Sequence, residues 1–261
     1  MTQVLDIVNK MEKFAPSRLK EDFDNVGLMV GDKNKAVKKV LLALDCTIKV
    51  IEEAKEKNTD LIITHHPLIF IKPKSITTDT IQGQKIIELI KNDIALYSSH
   101  TNLDAAKGGI NEKIAEMLGI EDSRLIDKNT RDEEAGIGRI GQLANETTLH
   151  EFIQKVKSDL SIDNLRVVRG RDTVKTVAVI NGSGQDFIGR AIAMGADTIV
   201  TGDTTYHFAA DYKEMGINII DAGHFNTEWP VFIKVMDGIK NDFSDIEFIV
   251  SEEAEDPYDF Y

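Results

Sequence analysis

The stretch VLLALDCTIKVIEEAKEKNTDLIITHH, residues 40–66, carries the pattern that decides the fold. Two runs of consecutive apolar residues, at 40–44 and 61–63, flank a segment with the apolar spacing of a helix. Strands that are apolar on successive residues, rather than on alternate ones, are typical of a parallel sheet covered on both faces. The stretch therefore predicts a parallel sheet covered by helices.

The second half of the chain repeats this order of elements. The runs KTVAVI (175–180), ADTIVTGD (196–203) and INIIDAGH (217–224) alternate with helical patterns, as the runs of the first half do. Asp60 and Asp197 open matching strands, 137 positions apart. Three matched elements in the same order indicate an internal repeat. We predict an α/β protein of two similar halves with mainly parallel sheets covered by helices.

A charged segment separates the two halves. Residues 121–136, EDSRLIDKNTRDEEAG, have little apolar periodicity, so we predict the boundary there. The predicted organisation is a first half at 1–123, a second half at 124–250 and an acidic tail at 251–261. The C-terminal helix of the second half could pack back on the first.

Composition restricts the classes of protein to which the chain could belong. It has 261 residues and a net charge of −13, which disfavours nucleic acid as a partner because the long-range field repels polyanions. No apolar run approaches the roughly 20 residues that cross a bilayer. Asp6 interrupts the N-terminal segment where a signal peptide would be apolar, so we expect a cytoplasmic protein without membrane contact. Cys46 is the only cysteine, which excludes an intramolecular disulfide and a thiolate metal cage.

Polar residues follow the predicted strands repeatedly. In open α/β sheets, ligands bind outside the carboxyl ends of the strands. Four of the six histidines lie just past such strands, and only His150 and His207 lie elsewhere. The polar residues at strand ends are Asp45, His65, His66, His100, Asp104, Asp203, His224 and Glu228. This coincidence predicts one functional site built from strand ends.

His65 and His66 suit two different metal ions. Neighbouring residues of a strand point to opposite faces, and Pro67 keeps His66 out of the helical region. Two diverging imidazoles could each hold one ion of a pair about 3.5–4 Å apart. The alternative is a polar turn after a buried strand.

Two further pairs join a histidine to a carboxylate four positions later. His100 precedes Asp104, and His224 precedes Glu228, so each pair could share one helical face. A surface ion pair has the same spacing. Ligands of this kind suit Zn, Mn, Fe or Co and do not choose among them.

Three other features favour structural interpretations. NGSGQD (181–186) could bind an anion at a helix N-terminus, but a tight turn that needs glycine is the favoured explanation. His207 could lie near a metal site, although a packed histidine on an apolar helical face is more common. Cys46 we interpret as a core residue.

Five motifs together resemble the NGG-one-interacting-factor-three-like family over nearly the whole chain. They are FDNVGLMVG (23–31), THHPLIF (64–70), SSHTNLDAAKGGIN (98–111), ADTIVTGDTTYH (196–207) and DAGHFNTE (221–228). Bacterial and archaeal members are known as dinuclear metal-centre proteins or GTP cyclohydrolase I type 2 homologues. Phe23 stands where many members have Trp, a change expected to affect packing. The short segment 121–136 leaves no room for the extra domain of longer members.

The resemblance implies a ligand set and an assembly. It implies two divalent ions per chain, in a metal site between the two halves, with Glu228 shared by both ions. The implied ligands are His65, His66, Asp104, His224 and Glu228. His100 is similar to a family histidine close to the site that is not a firm ligand. Members commonly form a ring-like homohexamer.

Two functions remain open on the sequence. The first is a metal-dependent hydrolase in which metal-activated water attacks a nucleotide-like small molecule, with His100, Asp45 or Asp203 transferring protons. The resemblance points to purine ring opening of GTP, and phosphoester hydrolysis would use the same metals. The alternative is a non-catalytic, metal-binding oligomeric scaffold or regulator that binds a nucleotide or a protein partner.

Overall fold

The first of two compact units contains a five-stranded sheet. A computed structural model describes residues 1–260 of the chain. This unit comprises Met1–Leu103 and Phe232–Glu255. In spatial order its strands are Gly27–Val30 (β1), Ala95–Ser98 (β4), Leu61–Thr64 (β3), Lys39–Ala43 (β2) and Glu247–Val250 (β11). β1 runs antiparallel to β4, and every other neighbouring pair is parallel.

Short helices connect the strands of the first unit. They are Val4–Phe14 (α1), Ile48–Glu56 (α2) and Ile81–Lys91 (α3), with a 3-10 turn at Ser17–Leu19. Two helices continue from one unit into the other, Thr101–Ala105 (α4) and His224–Lys240 (α9). Among residues 1–260, no helix has both the length and the hydropathy that crossing a bilayer requires.

The core of the first unit confirms the predicted parallel sheet. Every residue of β3 and β4 is buried, as expected for strands that are apolar on successive positions. Leu41, Ile62 and Leu96 from three neighbouring strands are fully buried in one apolar cluster. Between β2 and β3, helix α2 begins at Thr47, whose side chain accepts a hydrogen bond from the Val50 N–H at 3.1 Å. The strand, helix, strand order of residues 40–66 is therefore the order observed.

The second unit contains a six-stranded mixed sheet. It comprises Asp104–Val231 and the residues from Asp256 onward. In spatial order its strands are Ile120–Asn129 (β5), Asp132–Thr148 (β6), Thr173–Val179 (β8), Thr198–Thr201 (β9), Asn218–Asp221 (β10) and Arg166–Val168 (β7). β8, β9 and β10 are parallel, and the other pairs are antiparallel. The helices are Ile110–Met117 (α5), Leu149–Leu160 (α6), Gln185–Ala193 (α7) and Tyr206–Glu214 (α8).

The internal repeat is visible in the hydrogen bonds of two aspartates. The Asp60 carboxylate, just before β3, accepts the backbone N–H of Lys39 in β2 at 3.1 Å. The Asp197 carboxylate, just before β9, accepts the backbone N–H of Thr176 in β8 at 2.7 Å. In each unit the aspartate just before one parallel strand therefore binds the backbone of the neighbouring parallel strand. The two matching positions found in the sequence perform the same structural task.

The charged segment 121–136 forms strands rather than a connection between halves. The predicted boundary at 123/124 lies inside β5, and the compact units divide instead between Leu103 and Asp104. β5 lies at the edge of its sheet beside β6 and exposes five of its ten residues, so its charged side chains are compatible with an edge strand. The second sheet is mixed because β5 and β6, β6 and β8, and β10 and β7 pair antiparallel.

The beginning of the predicted acidic tail is bound to the first unit. Residues 232–255, which include β11, belong to that unit. The Glu53 carboxylate, buried on α2, accepts hydrogen bonds from the Ser251 hydroxyl and from the Glu252 N–H at 3.0 Å. Lys49 forms an ion pair with Glu255 at 3.2 Å. Three of the first five residues of the tail thus contact α2.

Candidate metal centre

Three histidines form a cluster at the carboxyl ends of the strands in the first unit. His65 and His66 follow β3, and His100 follows β4. One ring nitrogen from each can be chosen so that all three atoms lie within 4.8 Å of one another. His65 is fully buried, while His66 and His100 are half-buried.

Backbone and hydroxyl hydrogen bonds fix the two adjacent histidines. The His66 N–H donates to the carbonyl of Leu44, beyond β2, at 2.9 Å. The Thr64 hydroxyl, at the end of β3, donates to the carbonyl of His66 at 2.8 Å. It also bonds the Ser98 hydroxyl on the neighbouring strand at 2.8 Å. The register of the parallel sheet therefore determines where His65 and His66 stand.

The Nδ1 atoms of both histidines have hydrogen-bond acceptors. His65 Nδ1 lies 2.8 Å from the backbone carbonyl of Ser99, and His66 Nδ1 lies 2.9 Å from Asp45 Oδ1. A carbonyl and a carboxylate can only accept, so each Nδ1 carries the hydrogen and the lone pair lies on Nε2. A histidine that binds metal through one nitrogen usually donates its other N–H to such a group. Asp45 therefore orients His66.

His100 has the same arrangement with Asp24, a residue that the sequence reasoning did not select. Asp24 is 5% exposed, and its Oδ1 lies 2.9 Å from His100 Nδ1. Its other oxygen accepts the Thr101 N–H at 3.1 Å and the Thr101 hydroxyl. Burial raises the pKa of Asp24, but the hydrogen bonds and charge of His100 and the bonds from Thr101 outweigh it and lower the pKa to about 2. Asp24 is therefore an ionised acceptor at neutral pH.

Asn181 joins two buried carboxylates in the second unit. Its side-chain amide donates to Asp104 Oδ1 at 2.8 Å and to Glu228 Oε1 at 3.1 Å. Asp104 lies on α4 and Glu228 on α9, and both are almost fully buried. The backbone N–H of Asn181 donates to the side-chain carbonyl of Asn111 at 3.0 Å. Two carboxylates held this close by one neutral amide form a site with strong attraction for a cation.

His224 and Glu228 face each other one helical turn apart. His224 Nδ1 lies 2.8 Å from Asp203 Oδ2, which places the lone pair on Nε2. That Nε2 lies 3.0 Å from Glu228 Oε2. Two atoms that both carry lone pairs approach this closely when they share a proton or bind the same cation.

Glycine at position 182 makes room for the Glu228 carboxylate. Gly182 has a φ of +57°, and a Cβ placed there would lie 2.2 Å from Glu228 Oε1. Its N–H donates to the Thr227 hydroxyl at 3.0 Å. The favoured interpretation of NGSGQD as a glycine-dependent turn did not identify Asn181 as a donor. Here the glycine is required by the turn and by the neighbouring carboxylate together.

The donor atoms of both units fit a divalent transition metal. They are imidazole nitrogens and carboxylate oxygens, which suit Zn, Mn, Fe or Co. Each histidine of the set is oriented by an acceptor on Nδ1, as is usual for metal ligands. Burial raises the pKa of the Cys46 thiol to about 12, so this core residue is no thiolate ligand. The chain thus contains candidate metal-binding groups made of His and Glu.

The remaining two histidines lie away from these groups. His150 and His207 are both exposed, on α6 and α8. The His207 ring contacts Tyr206, with centroids 5.5 Å apart. The exposure of His207 contradicts the favoured interpretation of a histidine packed on an apolar helical face.

Comparison with known proteins identifies the family. The sequence profile described as Duf34/NIF3 (NGG1p interacting factor 3) matches residues 2–257. The chain belongs to the Duf34/NIF3 family. A Clostridium perfringens protein named GTP cyclohydrolase 1 type 2 homolog is 58% identical over 257 residues, covering 98% of each chain. A relative of the same name from Clostridium acetobutylicum is 49% identical, covering 99% of this chain and 98% of the relative.

A solved structure of a related protein supports the Duf34/NIF3 fold. The crystal structure of a Bacillus cereus protein related to NIF3 matches with a TM-score of 0.88 at 28% identity, covering 100% of this chain and 99% of that one. The predicted resemblance and the predicted α/β fold class are therefore confirmed. The matched range 2–257 contains every residue of the candidate metal centre.

Proposed function

We propose that this Duf34/NIF3 protein is a metal-dependent hydrolase that holds two divalent ions per chain. The proposed ligands are His65, His66, Asp104, His224 and Glu228. One observation carries the proposal: each of these histidines donates from Nδ1 to a carbonyl or carboxylate, which directs the Nε2 lone pair to a ligand. The Asn181 amide gives both proposed carboxylates a neutral donor, so their charge stays available to a cation.

The other polar residues would orient ligands and transfer protons. When bound, two divalent ions supply a water molecule that ionises near neutral pH and an electrostatic clamp for the electrophile. Asp45 and Asp203 would hold His66 and His224 in the correct tautomer, in addition to the proton transfer expected of them. His100, backed by the ionised Asp24, would accept or deliver a proton through Nε2.

A nucleotide-like small molecule is the proposed substrate. The relatives named GTP cyclohydrolase 1 type 2 homolog motivate a panel centred on GTP. The net charge of −13 is compatible with such an anion only if metal ions offset it, as the proposal requires. The homohexamer implied by the family resemblance and the cytoplasmic location expected from the sequence are part of the same proposal.

The second candidate is a metal-binding oligomeric scaffold or regulator without catalysis. Helix α8 favours it, because this helix buries none of its residues and exposes Tyr206 and Phe208. Exposed apolar surface of this kind is typical of subunit or partner contacts. The two functions differ in what metal removal does. A scaffold would lose assembly with the metal, whereas a hydrolase could lose turnover alone.

The test combines product analysis with one conservative substitution. Metal-loaded protein is incubated with a panel of purine and pyrimidine nucleotides, and products are separated by chromatography. Glu228→Gln keeps the size of the side chain and an acceptor for Asn181 but removes the charge. Glu214→Gln, the same change at an exposed position of α8, is the matched control.

Turnover by the parent and by Glu214→Gln, with at least about 100-fold less by Glu228→Gln, is the expected result. Metal content is measured for each variant by elemental analysis. No turnover of any nucleotide by fully loaded parent protein would reject the hydrolase. Loss of assembly on chelation would then favour the scaffold.

A further inference from the structure

Two exposed phenylalanines lie next to the histidine cluster of the first unit. Phe23 is 67% exposed and Phe70 is 46% exposed. Their ring centroids are 6.1 Å apart, with the planes at 62°. The Phe70 ring also lies 6.4 Å from the ring of His100. Ring contacts thus run without interruption from the histidines to the surface.

The backbone that carries these rings is anchored on both sides. The Asn25 amide donates to the carbonyl of Ile69, beside Phe70, at 2.6 Å. The Gln82 amide, on α3, donates to the carbonyl of Leu68 at 3.0 Å. The neighbour of Phe23 is the buried Asp24 described above. Both phenylalanines are therefore displayed by fixed segments, which reduces the ordering cost of binding a ligand on them.

The small area of the two phenylalanine rings and their position beside His100 favour a small planar ligand over a macromolecule. Aromatic faces bind planar heterocycles by stacking, and every nucleobase offers such a face. A protein seated on both rings would also cover His100, because Phe70 contacts it. A flat heterocycle can stack on one ring and still present its edge to the histidines.

We propose that Phe23 and Phe70 form a stacking site for the planar heteroaromatic ring of the substrate. The site deepens the hydrolase proposal and rests on it for the ligand class, a purine or a ring of similar size. Phe70 would contact the ring directly, and Phe23 would support Phe70 and extend the aromatic surface. The phenylalanines would bind and orient the ring, while the histidines beside them would face its edge.

Calorimetric titration with two matched ligands tests this site. Metal-loaded full-length protein is titrated with guanosine 5′-monophosphate and with ribose 5-phosphate, which lacks only the base. Phe70→Leu and Phe23→Leu keep apolar volume but remove the aromatic face, and Phe70→Tyr restores it. Tyr258→Leu, at an aromatic residue that is 72% exposed near the C-terminus, is the control.

The expected result is selective for the ring. The parent binds the nucleotide more tightly than the sugar phosphate, and Phe70→Leu weakens nucleotide binding roughly tenfold, in the range of one lost stacking contact. Phe23→Leu has a smaller effect of about threefold, because Phe23 acts through Phe70. Ribose 5-phosphate affinity, metal content and the Tyr258→Leu titrations stay unchanged within about twofold.

Three results would overturn the stacking site. They are equal affinity of the parent for both ligands, an equal loss of both ligands in Phe70→Leu, and a changed sedimentation coefficient in the leucine variants without a ring-selective loss. The last would assign the rings to a contact between copies of the chain. Turnover is measured separately, so ring-selective binding without any product would reject the hydrolase and leave the stacking site standing.

Discussion

Replacing Gly182 with alanine should release metal from the second unit without unfolding it. A Cβ at this position would lie 2.2 Å from Glu228 Oε1 and 3.2 Å from His224 Nε2. The carboxylate would have to move by about 1 Å to reach a normal van der Waals separation. Ligand groups tolerate displacements of only about 0.5 Å. We therefore expect metal affinity to fall at least 10- to 100-fold, the range seen when the support of a ligand is lost.

The substitution also has a backbone cost that must be separated from the clash. Gly182 has a φ of +57°, and an alanine in the left-handed region costs roughly 1–2 kcal/mol. Gly119 offers a matched control in the same unit, because its φ is +67° and an added Cβ would meet only Lys155 Cε at 3.8 Å. Gly119→Ala should lose similar stability in denaturant unfolding and keep its metal.

The assay is a competition titration of each metal-loaded variant with a chromophoric chelator. Stability is measured in parallel on metal-free protein, where the two alanine variants should agree within about 1 kcal/mol. Equal metal affinity in the Gly182→Ala and Gly119→Ala variants would refute the reasoning. It would mean that Glu228 is no ligand, or that its carboxylate moves without consequence.

Three further predictions concern the residues that hold the proposed ligands and His100 in place. Asp45→Asn or Asp203→Asn should weaken metal binding roughly 10- to 100-fold in the same titration, because an amide can donate to Nδ1 and reverse the histidine tautomer. Asn181→Ala should destabilise the metal-free protein by about 2–3 kcal/mol in denaturant unfolding, since two buried carboxylates lose a donor, and bound metal should reduce that loss. Asp24→Asn should cost about 2 kcal/mol at pH 7 and almost nothing at pH 2, measured by unfolding across pH. The pKa of Asp24 falls from 3.8 to about 2 on folding, so its stabilisation is complete above pH 4 and lost as the pH falls to 2.

The features that the sequence predicted are those whose signal is local. Consecutive apolar residues in 40–44 and 61–63 indicate strands covered on both faces, and the matching Asp60 and Asp197 indicate the repeat. Both patterns can be read from the sequence because each arises within a single strand, helix, strand unit. Burial on two faces gives the apolar runs, and one recurring hydrogen bond gives the matching aspartates.

The features that the sequence did not predict depend on distant partners. Asp24 is recognisable as a supporting residue only through His100, 76 positions away, and Asn181 only through Asp104, 77 positions away. β5 carries charges because it is an edge strand, so it lacks the apolar pattern that marks strands elsewhere in the chain. In each case the role of the residue depends on a contact with a residue or strand distant in the sequence. The spacing of residues along the chain does not reveal that contact.

One kind of contact between distant residues nevertheless has a regular spacing, the hydrogen bond from a histidine to an aspartate. This spacing explains how the fold orients its histidines. Asp45 follows β2 and its partner His66 follows β3, while Asp203 follows β9 and its partner His224 follows β10. Both pairs are 21 positions apart, and both connect neighbouring parallel strands through one helix. A crossover of about this length brings the carboxyl ends of two strands side by side. An aspartate at one end and a histidine at the next therefore form the hydrogen bond that fixes the imidazole, and each unit of the repeat supplies one such pair.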